Sequence, residues 1–98
     1  MDTVARLDAL ESIRFVQASY WRYKDTKQWD LLRTVFTDFA EADYPGDRGG
    51  TARGADAVVS FIRDRVGSVQ TVHHGHAPEI TFQSDTTASG IWPFEDLL

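Results

Sequence analysis

His73, His74 and His76 fall within four consecutive positions, and imidazole is the side chain best matched to proton transfer near neutral pH. Successive side chains of an extended segment point to opposite faces, so His73 and His74 cannot both look into one pocket. One can face a cavity while the other meets solvent or the opposite packing layer, and a plain packing role for any single histidine fits the pattern equally well. Asp25 is the first carboxylate to weigh against them. It precedes Gln28 by three residues, which is the spacing of a helix N-cap. At a junction between helices the same carboxylate can instead turn inward, orient a histidine and stabilise its cation.

A metal site is the competing chemistry. His74-x-His76-x-x-Glu79 is close to a ligand spacing found in cupin barrels, but such a barrel needs strands throughout and the first two-thirds of this sequence reads as helix. No metal and no cofactor is therefore expected. Tyr20, Trp21, Tyr23, Trp29, Tyr44 and Trp92 supply many large rings, most of which must fill core volume. A phenol that faces a cavity is also a good donor to a carbonyl oxygen gaining negative charge, which makes Tyr20 and Tyr44 candidates. Asp96 closes a run in which Gly90, Trp92 and Phe94 alternate onto one face; exposure statistics favour a solvated strand end over a second pocket carboxylate.

These residues need elements to position them. Leu10, Ile13, Val16, Tyr20 and Tyr23 recur at helical intervals and predict an amphipathic helix from Leu7 to Lys24. Trp29, Leu32, Val35 and Phe36 share a face of a shorter second helix that the Asp25 to Gln28 segment opens. Asp43 to Asp47 and Gly49-Gly50 predict a loop leaving a short extended piece around Tyr44. Val58, Phe61, Ile62 and Val66 mark a third helix over Ala55 to Val66, closed by Gly67. The period then falls to two. Strands are expected at Val69 to His74, Glu79 to Gln83 and Thr87 to Leu97, with Ser84-Asp85-Thr86 as a hairpin turn. Pro93 cannot donate to a ladder, so the last strand should bulge there or leave that edge free. Helices first and antiparallel strands afterwards define an α+β architecture, three N-terminal helices on a curved antiparallel sheet.

Composition narrows the chemistry further. The 98 residues suit one domain, residues 1–98, with a modest core. With no cysteine there is no thiolate nucleophile or disulfide, and a reducing, cytoplasmic setting is the simplest expectation. The charged opening segment lacks the apolar run of a signal peptide or membrane span, so no membrane partner is expected. A net charge of -5 without a basic run argues against nucleic-acid binding.

Three stretches carry a family resemblance: Tyr20 to Asp30, Val72-His73-His74-Gly75-His76-Ala77-Pro78-Glu79-Ile80, and Thr87 to Asp96. With Gly54 and the intervening helix they span nearly the whole chain, which resembles SnoaL-like proteins of the nuclear transport factor 2-like superfamily, close to bile acid 7α-dehydratase and more distantly scytalone dehydratase. The resemblance implies a cone-shaped α+β barrel around an apolar pocket, with Tyr20, Asp25, Tyr44, His73 and Asp96 at the dehydratase's catalytic positions. Trp29, Trp92 and Phe94 are the rings expected to contact substrate. Lys24 stands where scytalone dehydratase has a further tyrosine, which argues against that substrate. Family members continue for several dozen residues beyond Leu98, so the last strands are expected to be missing, as in a natural short form or a fragment. An open sheet edge of that kind predicts a homo-oligomer. The implied activity is elimination of water from a hydroxylated cyclic or aromatic carbonyl compound, a hydrophobic small molecule, with His73 as acid and base. Double-bond isomerisation in the same pocket, and a non-catalytic binding or assembly module, are the alternatives.

Overall fold

The computed structural model describes residues 1–46 and 49–97. Asp47, part of the loop expected after Tyr44, lies outside the described residues. Helix α1 runs from Thr3 to Asp25, four residues earlier at its start than its apolar spacing predicts, because Asp2 caps it by accepting the Ala5 N–H at 2.8 Å. Its C-terminal half meets α2 (Trp29–Arg33) and the later strand over Val72–Gly75, whereas Val4, Leu7 and Phe15 stay exposed. The amphipathic face is therefore buried unevenly, and the end that carries Tyr20 to Asp25 is the anchored one.

The junction after α1 differs from the expected capping box. Asp25 is the last residue of α1 rather than the N-cap of α2; that place falls to Gln28, whose side chain makes no capping bond. Thr26 ends α1, its N–H and hydroxyl both returning to the Arg22 carbonyl, and Lys27 reverses the chain at φ +59°. A left-handed conformation at a residue with a Cβ costs energy and survives where neighbours hold it. Lys27 is held by its ammonium, which donates to Val66 O at 2.8 Å and Thr71 Oγ1 at 3.3 Å. Asp25 is thereby freed to face inward.

Two strands unforeseen as a pair intervene before the third helix. β1 (Glu41–Tyr44) and β2 (Gly50–Arg53) form an antiparallel ladder with Tyr44 opposite Gly50. Gly46, at φ +100°, opens the turn between them. Helix α3 (Ala55–Val66) has the predicted bounds, and Ala55, Val58, Val59 and Ile62 form its buried stripe. Gly67 is its C-cap as expected, in right-handed rather than left-handed geometry. Leu32, Ala52, Val58, Val59 and Ile62 make the core, and Arg33 braces it by bonding Asp38 and Asp56 at 2.6 and 2.7 Å.

The sheet is α+β and antiparallel as expected, but it comprises separate two-stranded ladders. β3 (Val72–Gly75) is shorter than the expected strand, since Gly67 and Val69 are still bonded back to α3. β4 is Glu79–Phe82. The expected Thr87 to Leu97 strand is two strands, β5 (Ala88–Ile91) and β6 (Phe94–Leu97), divided at Trp92-Pro93. Proline's missing donor ends the ladder there, so β5 pairs with β4 and β6 pairs with β3. Among the described residues no helix is long and apolar enough to cross a membrane.

Candidate active site

The anchored end of α1 and the β3–β6 ladder meet at one imidazole. The register sets His73 opposite Asp96 and His74 opposite Glu95. His73 turns inward, its side chain only 1% exposed, while His74 turns outward. Asp25 comes up from the end of α1 and takes His73 in two ways. Its Oδ1 lies 2.5 Å from His73 Nδ1, and its Oδ2 accepts the His73 main-chain N–H at 2.9 Å. The buried Thr71 hydroxyl donates to the same Oδ1 at 2.9 Å and itself accepts from Lys27.

This set of donors decides the charge of Asp25. Burial works against ionisation, but the His73 N–H, the His73 ring and the Thr71 hydroxyl outweigh it, and the carboxyl is held below its ordinary range. An ionised acceptor at 2.5 Å calls for the proton on Nδ1, and in the neutral imidazole that arrangement leaves Nε2 as the bare nitrogen. Among the described residues Nε2 is the buried side-chain polar atom without a hydrogen-bond partner. Asp96 Oδ2 is 3.3 Å from it, near enough to pair with an imidazolium but out of alignment for a hydrogen bond. The imidazole thus sits between two carboxylates, one bonded to Nδ1 and one 3.3 Å from Nε2.

His73 lines two adjoining cavities of about 330 and 400 Å³. Lys24, Tyr44, His73 and Phe94 belong to both walls. Asp96, Phe61 and Arg65 are among the further residues of the smaller one, and Tyr20, Trp21 and Trp92 among those of the larger. Tyr44 stacks on Phe61 with centroids 5.1 Å apart, and Gly50 leaves room for that ring, because a Cβ there would come within 3.0 Å of Phe61. The Tyr20 and Tyr44 hydroxyls are 3.4 Å apart. Burial, then the neighbouring Tyr44 and Asp96, push the Tyr20 phenol far above its ordinary range, so it stays protonated. Another cavity of about 400 Å³, between α1 and the β4–β5 hairpin, touches neither His73 nor Asp25.

Tyr20, Asp25, Tyr44, His73, Asp96, Trp92 and Phe94 therefore gather in one region. Trp29 does not. It packs against the core, borders cavities away from His73, and has the Arg63 guanidinium 6.0 Å from its ring, because α2 turns that face toward α3. The break at Pro93 leaves Trp92, Phe94 and Asp96 on the pocket side all the same. His74 and His76 approach Glu95 at 3.9 and 3.2 Å on the outer face, while Glu79 belongs to β4. Among the described residues no three histidine, aspartate or glutamate side chains converge as a metal ion requires.

Two wall residues were given no pocket role from the sequence. Trp21 packs over Gly75, where a Cβ would come within 2.0 Å of its ring, and beside Phe94 at 5.8 Å. Lys24 follows Tyr20 by one helical turn, a spacing that could have placed it on the same face. Its amine lies 5.5 Å from the Tyr20 ring centroid. Burial lowers its pKa, partly offset by Asp96 and Asp25.

The chain matches the SnoaL-like domain family over residues 5–98 and belongs to it, within the nuclear transport factor 2-like superfamily. Its fold is similar to that of a candidate scytalone dehydratase from Novosphingobium aromaticivorans DSM 12444, with a TM-score of 0.85 and 23% identity over 97% of this chain. It is also similar to a type 2 hexachlorocyclohexane dehydrochlorinase (LinA), with a TM-score of 0.83 and 22% identity over 95% of this chain. The chain spans 63% of the length of each of those two proteins.

Proposed function

We propose that the pocket is a lyase site that eliminates water from a hydroxylated cyclic or aromatic carbonyl compound. The observation that carries the reading is the bare, buried Nε2 of His73, opposed across the ring by an ionised Asp25 at 2.5 Å. His73 Nε2 takes a proton from the carbon next to the carbonyl, and the C–H electron pair passes to the carbonyl oxygen as an enolate. The resulting imidazolium is held by Asp25 and faced by Asp96. The enolate then reforms the carbonyl, a C=C bond forms, and the C–O bond to the hydroxyl breaks as Nε2 returns its proton, releasing water. Tyr20, kept protonated by burial, and Tyr44 offer hydroxyls at the oxygen end of the pocket.

The structural relatives named as a dehydratase and a dehydrochlorinase support an elimination, since each name describes loss of a small molecule. Their low identity leaves the substrate to experiment. Incubating the protein with a panel of cyclic hydroxyketones and reading product mass tests the proposal. Loss of water that disappears in His73→Ala is the expected result. A product of unchanged mass with a moved double bond would replace dehydration by isomerisation. Binding with no turnover would favour a non-catalytic module.

A further inference from the structure

Lys24 is a cation of this pocket that the proposed reaction does not use, as is Arg65 of the smaller cavity, whose guanidinium lies 4.2 Å over the Phe61 ring. Lys24 lines both cavities beside His73. Its amine sits at the Tyr20 ring, and among the described residues it has neither an ion-pair nor a hydrogen-bond partner. An ammonium with three donors, partly buried beside an aromatic ring, gains most from an oxygen that carries negative charge. The overall charge of -5 makes a cation in this cleft stand out further.

We infer that Lys24 is the pocket's oxyanion-binding group, selecting an aromatic or cyclic ligand whose oxygen carries or develops negative charge. The inference deepens the proposed acid–base reading by naming what meets the enolate oxygen. The tyrosines are weaker for this task. Their hydroxyls face one another at 3.4 Å, and Tyr20 is held in its protonated form by burial. Burial also eases proton release from Lys24, which improves it as a donor to a basic oxygen. Asp96 and Asp25 oppose that lowering without binding the amine, which leaves it available to a ligand.

4-Nitrophenolate, a flat ring bearing an oxyanion, and 4-nitroanisole, the same ring with that oxygen methylated, form a probe pair that needs no turnover. Affinities are read by NMR titration, with the His73 ring resonances reporting occupancy of the pocket. The expected result is phenolate binding about tenfold tighter than nitroanisole, the scale of one charge-assisted hydrogen bond. In Lys24→Met the ratio should fall to near one while nitroanisole still binds, and Lys24→Arg should restore most of it. A ratio unchanged in Lys24→Met overturns the inference and hands the oxyanion to the tyrosines or Arg65, leaving the elimination proposal intact. Failure of either probe to perturb His73 in the wild-type protein overturns the inference together with the pocket reading. Loss of the proposed dehydration alone, with the ratio still dependent on Lys24, leaves the inference standing as a ligand-binding property.

Discussion

The two faces of the β3–β6 ladder hold nearly the same chemical groups and treat them in opposite ways. On the inner face one imidazole meets Asp25 and Asp96 with its side chain 1% exposed; on the outer face His74 and His76 meet Glu95 with 53% and 52% exposed. Strand alternation alone separates neighbouring residues into these environments. Inside, the carboxylate is fixed by three donors, and one ring nitrogen is left buried without a hydrogen-bond partner, the atom proposed as the base. Outside, water competes for every bond, and such contacts contribute little. A histidine beside a carboxylate becomes a usable acid–base pair when burial and a supporting shell remove its freedom.

The widest separation between the faces should appear in turnover. His73→Ala or Asp25→Asn should lower the rate of the proposed elimination by about 10²- to 10⁴-fold, the usual contribution of a positioned acid/base. His74→Ala and His76→Ala should leave it within about twofold, since neither ring reaches the pocket. Steady-state rates on any dehydrated substrate check this, and equal losses on both faces would erase the distinction.

Stability should follow the same order. Asp25→Ala strands the His73 N–H, the His73 ring and the Thr71 hydroxyl, and should cost about 3 kcal/mol in a denaturant melt. Glu95→Gln should fall within about 0.5 kcal/mol of wild type. Gly75→Ala probes the link between the faces. The added methyl must displace Trp21 and, through it, Phe94, whose ring lies 6.0 Å from His73. A cost of about 1–3 kcal/mol with a shifted His73 resonance is expected.

Thr71 separates orientation from bulk. Thr71→Val removes the donor to Asp25 at similar volume and should cost about 1 kcal/mol, whereas Thr71→Ser should recover most of it. The pH dependence carries the smallest effect. The Asp25 carboxyl titrates lower folded than unfolded, so its contribution is fully present above the unfolded value of about 3.9 and is lost as pH falls through the depressed folded value. Asp25→Asn should flatten that acid limb in pH-dependent melts. Glu95→Gln should not.

Much of this arrangement is legible in the sequence where local rules and tertiary needs agree. Helix α3 reads correctly because its apolar stripe, its glycine boundaries and its packing against the core all specify the same span. The opposed facing of His73 and His74 follows from pleat alone. Local rules mislead where a long-range bond wins. Asp25 matches a capping pattern, yet Lys27 takes a left-handed turn that no residue preference forecasts, held by Val66 and Thr71 some forty residues away. The β1–β2 ladder was hidden because each strand has four residues and their partnership rests on a turn rather than on period. Proline announced a disturbance at position 93 without revealing that the chain would change ladder partners there. Lys24 is read from the sequence only as a departure from scytalone dehydratase, because a lysine on an amphipathic helix is ordinarily solvated and its place is decided by strands distant in sequence.

The tautomer of His73 tests the central claim most directly. Long-range ¹⁵N–¹H NMR on the labelled protein at neutral pH should show a proton on Nδ1 and an unprotonated Nε2, with that preference lost in a folded Asp25→Asn variant. A proton fixed on Nε2 in the wild-type protein, or a tautomer indifferent to Asp25, would contradict the assignment of His73 as the base.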